Sequence, residues 1–203
     1  MLLDLLYPPK CLHCDALLQK HSLLCGICLD MFILLPQEGR CNKCFSEIAS
    51  VEGTCKPCRQ IAHPFVSLSS CFDSLGPGMS IGEALRGGQF HFSKDIASFL
   101  IVQLDRLQYP CFDLITVVPG YFRSPYSLVA KELSKMLQVP FKNLLKRGLT
   151  PHPSFSIQKK SNLINKKVLL LDIRMESRTT IREAGWALDK GLPESIYGMT
   201  FCC

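Results

Sequence analysis

Lys167–Thr180 reads KVLLLDIRMESRTT, and its first six residues decide the fold class. KVLLLD is a short, nearly all-apolar run that ends in an acid. A strand with apolar residues at successive positions is buried on both faces, the mark of a parallel sheet covered by helices on either side. Thr180 and Glu183 then form a capping-box pattern that predicts a helix through Asp189. Upstream, Asp113–Pro119 (DLITVVP) is a second run of the same kind. After it, Ser124 and Pro125 open a helix to about Leu137 that turns Leu128, Val129, Leu133, Met136 and Leu137 inward. Earlier still, Phe65–Phe72 predicts a strand, and Ser93 caps a helix to about Leu107 with Ile96, Phe99, Leu100 and Leu104 on one face. Glu194–Phe201 closes as a last strand. This alternation over residues 63–203 predicts an α/β domain, an open and mostly parallel sheet with helices on both faces. Ligands of such sheets bind at the carboxyl ends of the strands, here just after Asp172.

Residues 1–62 obey a different rule. Eight of the twelve cysteines fall there as four Cys-x-x-Cys pairs, Cys11/Cys14, Cys25/Cys28, Cys41/Cys44 and Cys55/Cys58. Shifted by 30 residues, the first two pairs land on the second two, so C-x2-C-x10-C-x2-C occurs twice. Two intervening residues let a tight turn aim both sulfurs at one ion, and a second such turn completes a tetrahedron. Four thiolates with no open position predict a structural zinc, hence two zinc ions in a small Cys-rich module. Disulfides, buried thiols, a redox Cys-x-x-Cys and an iron–sulfur cluster are the competing readings. The repeat favours sequential ligand sets over cross-bracing. The ten-residue connections suit a short hairpin, with Pro9, Gly53 and Pro57 at turns. His13, His21 and His63 are expected to face solvent because each site already has four sulfurs. Cys71, Cys111, Cys202 and Cys203 lack the pair spacing and are expected in or beside the core.

The chain of 203 residues is 47% hydrophobic and 20% charged, ordinary for a globular protein and wrong for disorder. No apolar run approaches the ~18 residues a membrane span needs. The apolar start carries Asp4 and has no basic leader, so a cytoplasmic location is expected, where reduced cysteines favour metal over disulfides. The formal charge of +6 lies wholly outside residues 1–63, which hold six cations and six acids. Two zinc tetrathiolates would bring the net charge down to about +2.

Between Phe141 and Val168 stand seven cations, Lys142, Lys146, Arg147, Lys159, Lys160, Lys166 and Lys167, and no acid. Phe141, His152 and Phe155 lie among them. Cations that track phosphates, interleaved with rings that stack on bases, suit single-stranded DNA. The alternative is a solvated, flexible loop held extended by Pro151 and Pro153 and anchored by Phe141 and Phe155.

Nearly the whole chain resembles the ComF family of competence proteins. The resemblance rests on LLDLLYPPKCLHC (Leu2–Cys14), the later Cys pairs, FDSLGPGMSIGEALRGGQFHF (Phe72–Phe92), the strand end Val117–Pro119, and KVLLLDIRMESRTT. It implies a type I phosphoribosyltransferase fold behind the zinc module and a role in DNA uptake for transformation. It also implies that Asp172, Ser177, Arg178, Thr179 and Thr180 stand where that family binds phosphoribosyl pyrophosphate with magnesium. The departures are specific. Ile173 replaces the second of two adjacent ribose-binding acids. Arg178 replaces a loop glycine, at roughly 1–2 kcal/mol if that position is left-handed. Glu176 replaces a threonine and repels phosphate. The stretch after the Val117–Pro119 strand end, GYFRSPYS (Gly120–Ser127), lacks the family's pattern.

Two functions follow. One is a zinc-stabilised protein that binds nucleic acid or a partner, such as a helicase-like competence protein, on a phosphoribosyltransferase-like scaffold. The other is an active phosphoribosyltransferase with an altered loop.

Overall fold

The computed structural model describes residues 8–19, 22–49, 53–120, 126–148, 154–158, 162–174 and 178–203. Two short helices, α1 (Gly26–Asp30) and α2 (Lys56–Gln60), precede strand β1 (Ser67–Phe72). Then come α3 (Pro77–Arg86), a 3₁₀ turn at Phe90–Phe92, α4 (Ser93–Arg106), β2 (Leu114–Val117) and α5 (Tyr126–Leu137). The chain continues through β3 (Leu145–Arg147), β4 (Phe155–Ile157), β5 (Lys167–Arg174), α6 (Arg178–Asp189) and β6 (Ser195–Cys202).

β1, β6, β5 and β2 form a four-stranded sheet in that order, with every neighbour parallel. The register sets Val117 beside Leu171 and Asp172 beside Thr200. Because side chains alternate along a strand, the apolar run of β5 feeds two cores. Leu169 and Leu171 join Ile115, Val117, Met199 and Phe201 under α3, α4 and α5. Val168 and Leu170 join Leu114, Ile196, Ile181, Ala184 and Leu188 under α6 and the hairpin β3–β4. The sequence reading of an α/β sheet covered on both faces therefore holds.

Both sheet edges are covered by chain, which removes the open backbone groups an edge would expose. At β1, Leu35 N–H donates to the Cys71 carbonyl (2.8 Å), and Leu68 N–H donates to the Asn42 carbonyl (3.1 Å). Gln103, fully buried on α4, reinforces this seam through Nε2, which donates to the carbonyls of Leu35 (2.8 Å) and Ser70 (2.9 Å). At β2, Ile115 N–H donates to Pro140 O (2.9 Å), and Ile115 O accepts from Lys142 N–H (3.0 Å).

Several sequence expectations are corrected. α6 begins at Arg178, so Thr180 lies inside its first turn and is not the cap. On α5 Val129 and Leu133 are buried and Leu137 packs partly buried against the core, but Leu128 and Met136 are each 37% exposed. The opening residues Ser124 and Pro125 lie outside the described residues. Cys71 and Cys202 are buried and Cys203 is half-buried, but Cys111 is exposed. α3 was not expected because Pro77, Gly78 and Gly82 weaken its helix signal. Gly78 is there for space: a Cβ on it would stand 2.6 Å from Phe72 Cβ.

Candidate metal centres and the carboxyl edge of the sheet

The two halves of residues 10–61 repeat each other in three dimensions. Cys11 N–H donates to Ala16 O (2.9 Å) as Cys41 N–H does to Ser46 O (2.8 Å), and Leu12 N–H donates to Leu23 O (3.0 Å) as Asn42 N–H does to Gly53 O (2.8 Å). Bridges Lys10–Leu17 and Arg40–Glu47 close the same small hairpin around the first Cys pair of each half. Inside it Asp15 and Phe45 are both left-handed, with φ of 60° and 59°. An L-residue takes that conformation at roughly 1–2 kcal/mol. Phe45 offsets it by complete burial in the core beneath α6.

The second Cys pair of each half sits on a short helix. Cys25 and Cys55 occupy the N-cap positions of α1 and α2, and Cys28 and Cys58 follow in the first turn. The hairpin thus brackets the first pair rather than forming from the ten-residue connection, and Pro57 is in the first turn of α2, not at a bend. Gly53 does turn the chain, at φ 68°.

This geometry gathers Cys11, Cys14, Cys25 and Cys28 into one group and Cys41, Cys44, Cys55 and Cys58 into another, with all four sulfurs of each within 4.8 Å of one another. Cys14–Cys25 and Cys44–Cys55 are each separated by 3.7 Å, sulfur to sulfur. A tetrahedral zinc with bonds of ~2.3 Å requires sulfur–sulfur edges of ~3.8 Å, so the donor set fits. None of the twelve cysteines forms a disulfide. The ligand sets are sequential, as the repeat implied. Zinc here supplies folding energy, because a closed tetrathiolate leaves no position for substrate.

The backbone prepares one thiolate per centre. Burial pushes the Cys11 thiol up, but backbone N–H groups of Cys14, Cys25 and His13 outweigh it and bring it down to about 6. Cys41, also opposed by burial, is brought down to about 7 by the N–H groups of Cys55, Lys43 and Cys44; the Cys55 N–H stands 3.3 Å from its sulfur. Burial, then the neighbouring sulfurs, raises Cys28 and Cys58. Cys14 is raised as well, the Ala16 N–H being outweighed by the Cys11 and Cys25 sulfurs, and Cys55 is raised by burial. Zinc entry must therefore displace at least the protons of Cys14 and Cys28, or of Cys55 and Cys58. The metal-bound state holds fewer protons, so affinity rises with pH. Apparent zinc affinity is expected to fall about 100-fold per pH unit or more as pH drops from 8 to 7, and more steeply below about 7 at the second centre and about 6 at the first. Competition titrations with a chromogenic chelator measure this; a flat profile would exclude thiolate ligation.

The histidines behave differently from one another. His13 Nδ1 lies 3.0 Å from Ser80 Oγ. His63 does not face solvent: it is half-buried, and its Nδ1 is enclosed without a hydrogen-bond partner. Burial, followed by the fields of Arg182 and Lys43, lowers its pKa to about 4. His21 lies outside the described residues.

At the carboxyl edge of the sheet, Asp172 is only 9% exposed. β5 does not stop there but runs on to Arg174, paired with Cys202. Arg178, Thr179 and Thr180 form the first turn of α6, so Arg178 is right-handed and no left-handed penalty arises. Ser177 and Glu176 lie outside the described residues. Arg178 and Arg182 border a cavity of about 200 Å³ whose other wall includes Cys44, Cys55, Cys58 and His63.

The basic segment is not a bare loop. β3 and β4 pair as an antiparallel hairpin, Leu145 opposite Ile157 and Arg147 opposite Phe155, which packs on α6. The Arg147 guanidinium lies over the Phe155 ring at 5.5 Å. Lys166 and Lys167 face acids, Asp113 at 3.9 Å and Glu194 at 3.6 Å. Lys142 and Lys146 are exposed, Phe141 and Phe155 are half-buried, and Lys159, Lys160, Pro151, His152 and Pro153 lie outside the described residues.

The family model described as Double zinc ribbon domain matches residues 2–59. No curated protein gives a significant match to the chain. Among the described residues no helix is long and apolar enough to cross a membrane. The chain is thus a zinc-binding protein with two four-cysteine centres, joined to a parallel α/β sheet.

Proposed function

We propose that this chain is a ComF-like protein of DNA uptake, in which a zinc double ribbon and a phosphoribosyltransferase-like sheet form a scaffold for single-stranded DNA or for a partner such as a helicase-like competence protein. The observation that carries the reading is the junction after β5. Asp172 is almost wholly withdrawn from solvent, and Arg178 is wound into α6 beside the second zinc centre. Between them Ile173–Ser177 contains no glycine, which a working phosphate loop of that family has. Partner binding has support from the first ribbon, where Ile27, Leu29, Met31 and Ile33 are each more than half exposed.

A second reading, an active phosphoribosyltransferase using phosphoribosyl pyrophosphate and magnesium, is favoured by the position of Asp172 at the carboxyl end of a parallel strand, ahead of a helix N-terminus that carries Thr179 and Thr180. Calorimetric titration of the zinc-loaded protein with phosphoribosyl pyrophosphate and magnesium separates the two. The scaffold reading expects no saturable binding at micromolar levels; binding there would establish the second. The DNA part is tested by fluorescence anisotropy with a labelled single strand across a salt series. Lys159→Gln with Lys160→Gln is expected to weaken binding and reduce the log–log salt slope by about 1.4, two phosphate contacts' worth. Unchanged affinity would remove the basic segment from the interface.

A further inference from the structure

The first turn of α6 carries an electrostatic conflict. It contains no acid, and Arg178 and Arg182 stand four residues apart on one face of a twelve-residue helix. Cations at a helix N-terminus oppose the macrodipole, and like charges at this spacing repel. Among the described residues neither arginine forms an ion pair with a carboxylate. Among the described residues the lining of their cavity holds no carboxylate either: it consists of cysteines of the second centre, Ser46, apolar residues and His63, an imidazole that burial and the Arg182 and Lys43 charges hold neutral. What does border it is one whole side of the second metal centre, through Cys44, Cys55 and Cys58.

A zinc ion of charge +2 held by four thiolates leaves a net charge of −2 on the centre. We propose that Arg178 and Arg182 are the counter-charges of the second zinc centre, so that metal at this site and the first turn of α6 stabilise each other. The anion facing this helix N-terminus is then the protein's own tetrathiolate, and the arginine that replaces the glycine of a phosphate loop serves zinc retention. The first centre is met instead by the first turn of α3, which carries no cation and places Ser80 Oγ 3.0 Å from His13 Nδ1. Its Cys14 is exposed where the equivalent Cys44 is buried and bonded to Ser46 Oγ at 3.0 Å. The two centres are therefore unequal, the second holding zinc longer. By linkage, an anion that draws the arginines away loosens the second centre.

The test is zinc release from the zinc-loaded full chain into excess chelator, with peptide-resolved alkylation by N-ethylmaleimide reporting each set of cysteines separately. In the unaltered protein, Cys11–Cys28 are expected to become alkylated before Cys41–Cys58. Arg178→Gln with Arg182→Gln is expected to speed release from the second centre about tenfold, two partly exposed charge pairs' worth, and to leave the first unchanged. Arg178→Lys with Arg182→Lys is expected to keep most of the retention, and Lys190→Gln, at the far end of α6, to change neither centre. An unaltered second-centre rate in the glutamine pair would overturn the proposal. So would equal acceleration at both centres, or an equal effect of Lys190→Gln, because each marks a general effect of charge or folding.

Discussion

Cys41→Ser is expected to lower bound zinc from two ions per chain to one and the melting temperature by roughly 10 °C. A serine hydroxyl is not ionised at neutral pH and is a poor zinc ligand, so the remaining three thiols cannot close the tetrahedron. Cys41 is the thiol the backbone prepares, receiving the Cys55 N–H at 3.3 Å, and it is fully buried. The loss spreads beyond the ribbon. Phe45, four residues on, fills the core beneath α6 in a left-handed conformation that the closed knuckle holds. Asn42 O accepts the Leu68 N–H of the sheet edge, and Lys43 Nζ donates to Phe65 O at 3.3 Å. Loss of a structural metal is among the few single changes worth about 4 kcal/mol or more, and each kcal/mol shifts the melting temperature of a chain of this size by about 2–4 °C. Cys11→Ser is expected to remove the other ion. Metal analysis with thermal melting checks both; two ions retained in Cys41→Ser would overturn the ligand assignment.

The parts of this fold that were legible in the sequence are those where one residue pattern has one physical use. KVLLLD and DLITV could be read as parallel strands because only a strand buried on both faces needs apolar side chains at successive positions. The metal centres were legible because a doubled Cys-x-x-Cys spacing has few other uses, and the repeat also chose the pairing. What escaped was contact between distant segments. Nothing local marks Leu35 and Asn42 as the partners of β1, or Gln103 as the buried amide that ties them to α4. α3 escaped because its glycine answers to Phe72, a tertiary demand that reads locally as a helix breaker. The hairpin β3–β4 was hidden by lysines that suggest a solvated loop, although Leu145, Phe155 and Ile157 carry the alternation of paired strands. Arg178 was read against a phosphate loop. The signal for its other surroundings was present in Arg182, one helical turn on, since two cations at a helix start call for an anion beside them.

Phe72→Ala is expected to reduce unfolding free energy by about 3–5 kcal/mol, the range for truncating a buried aromatic ring. Phe72 is 3% exposed at the carboxyl end of β1. Its ring stacks on Phe32 at 3.7 Å and 16°, and meets Phe201 at 5.1 Å and Phe99 at 5.6 Å edge-on. Those three partners belong to the first ribbon's exit, to β6 and to α4, so one side chain joins the metal-bound half of the chain to the sheet. The substitution leaves all eight zinc ligands intact, and two bound ions are expected to remain. Urea unfolding followed by tryptophan fluorescence, which reports Trp186 on α6, and by zinc release then reads two different parts of the molecule. If the ribbons are held by this aromatic seam, zinc release from the first centre moves to lower urea than the unfolding of α6, whereas the two coincide in the unaltered chain. Phe72→Leu, which refills much of the space without stacking, is expected to recover about half the loss. A loss below about 1 kcal/mol in Phe72→Ala would mean that the ribbons are held by their other ties to the sheet, the backbone pairing of Leu35 and Asn42, the Gln103 amide and Phe45.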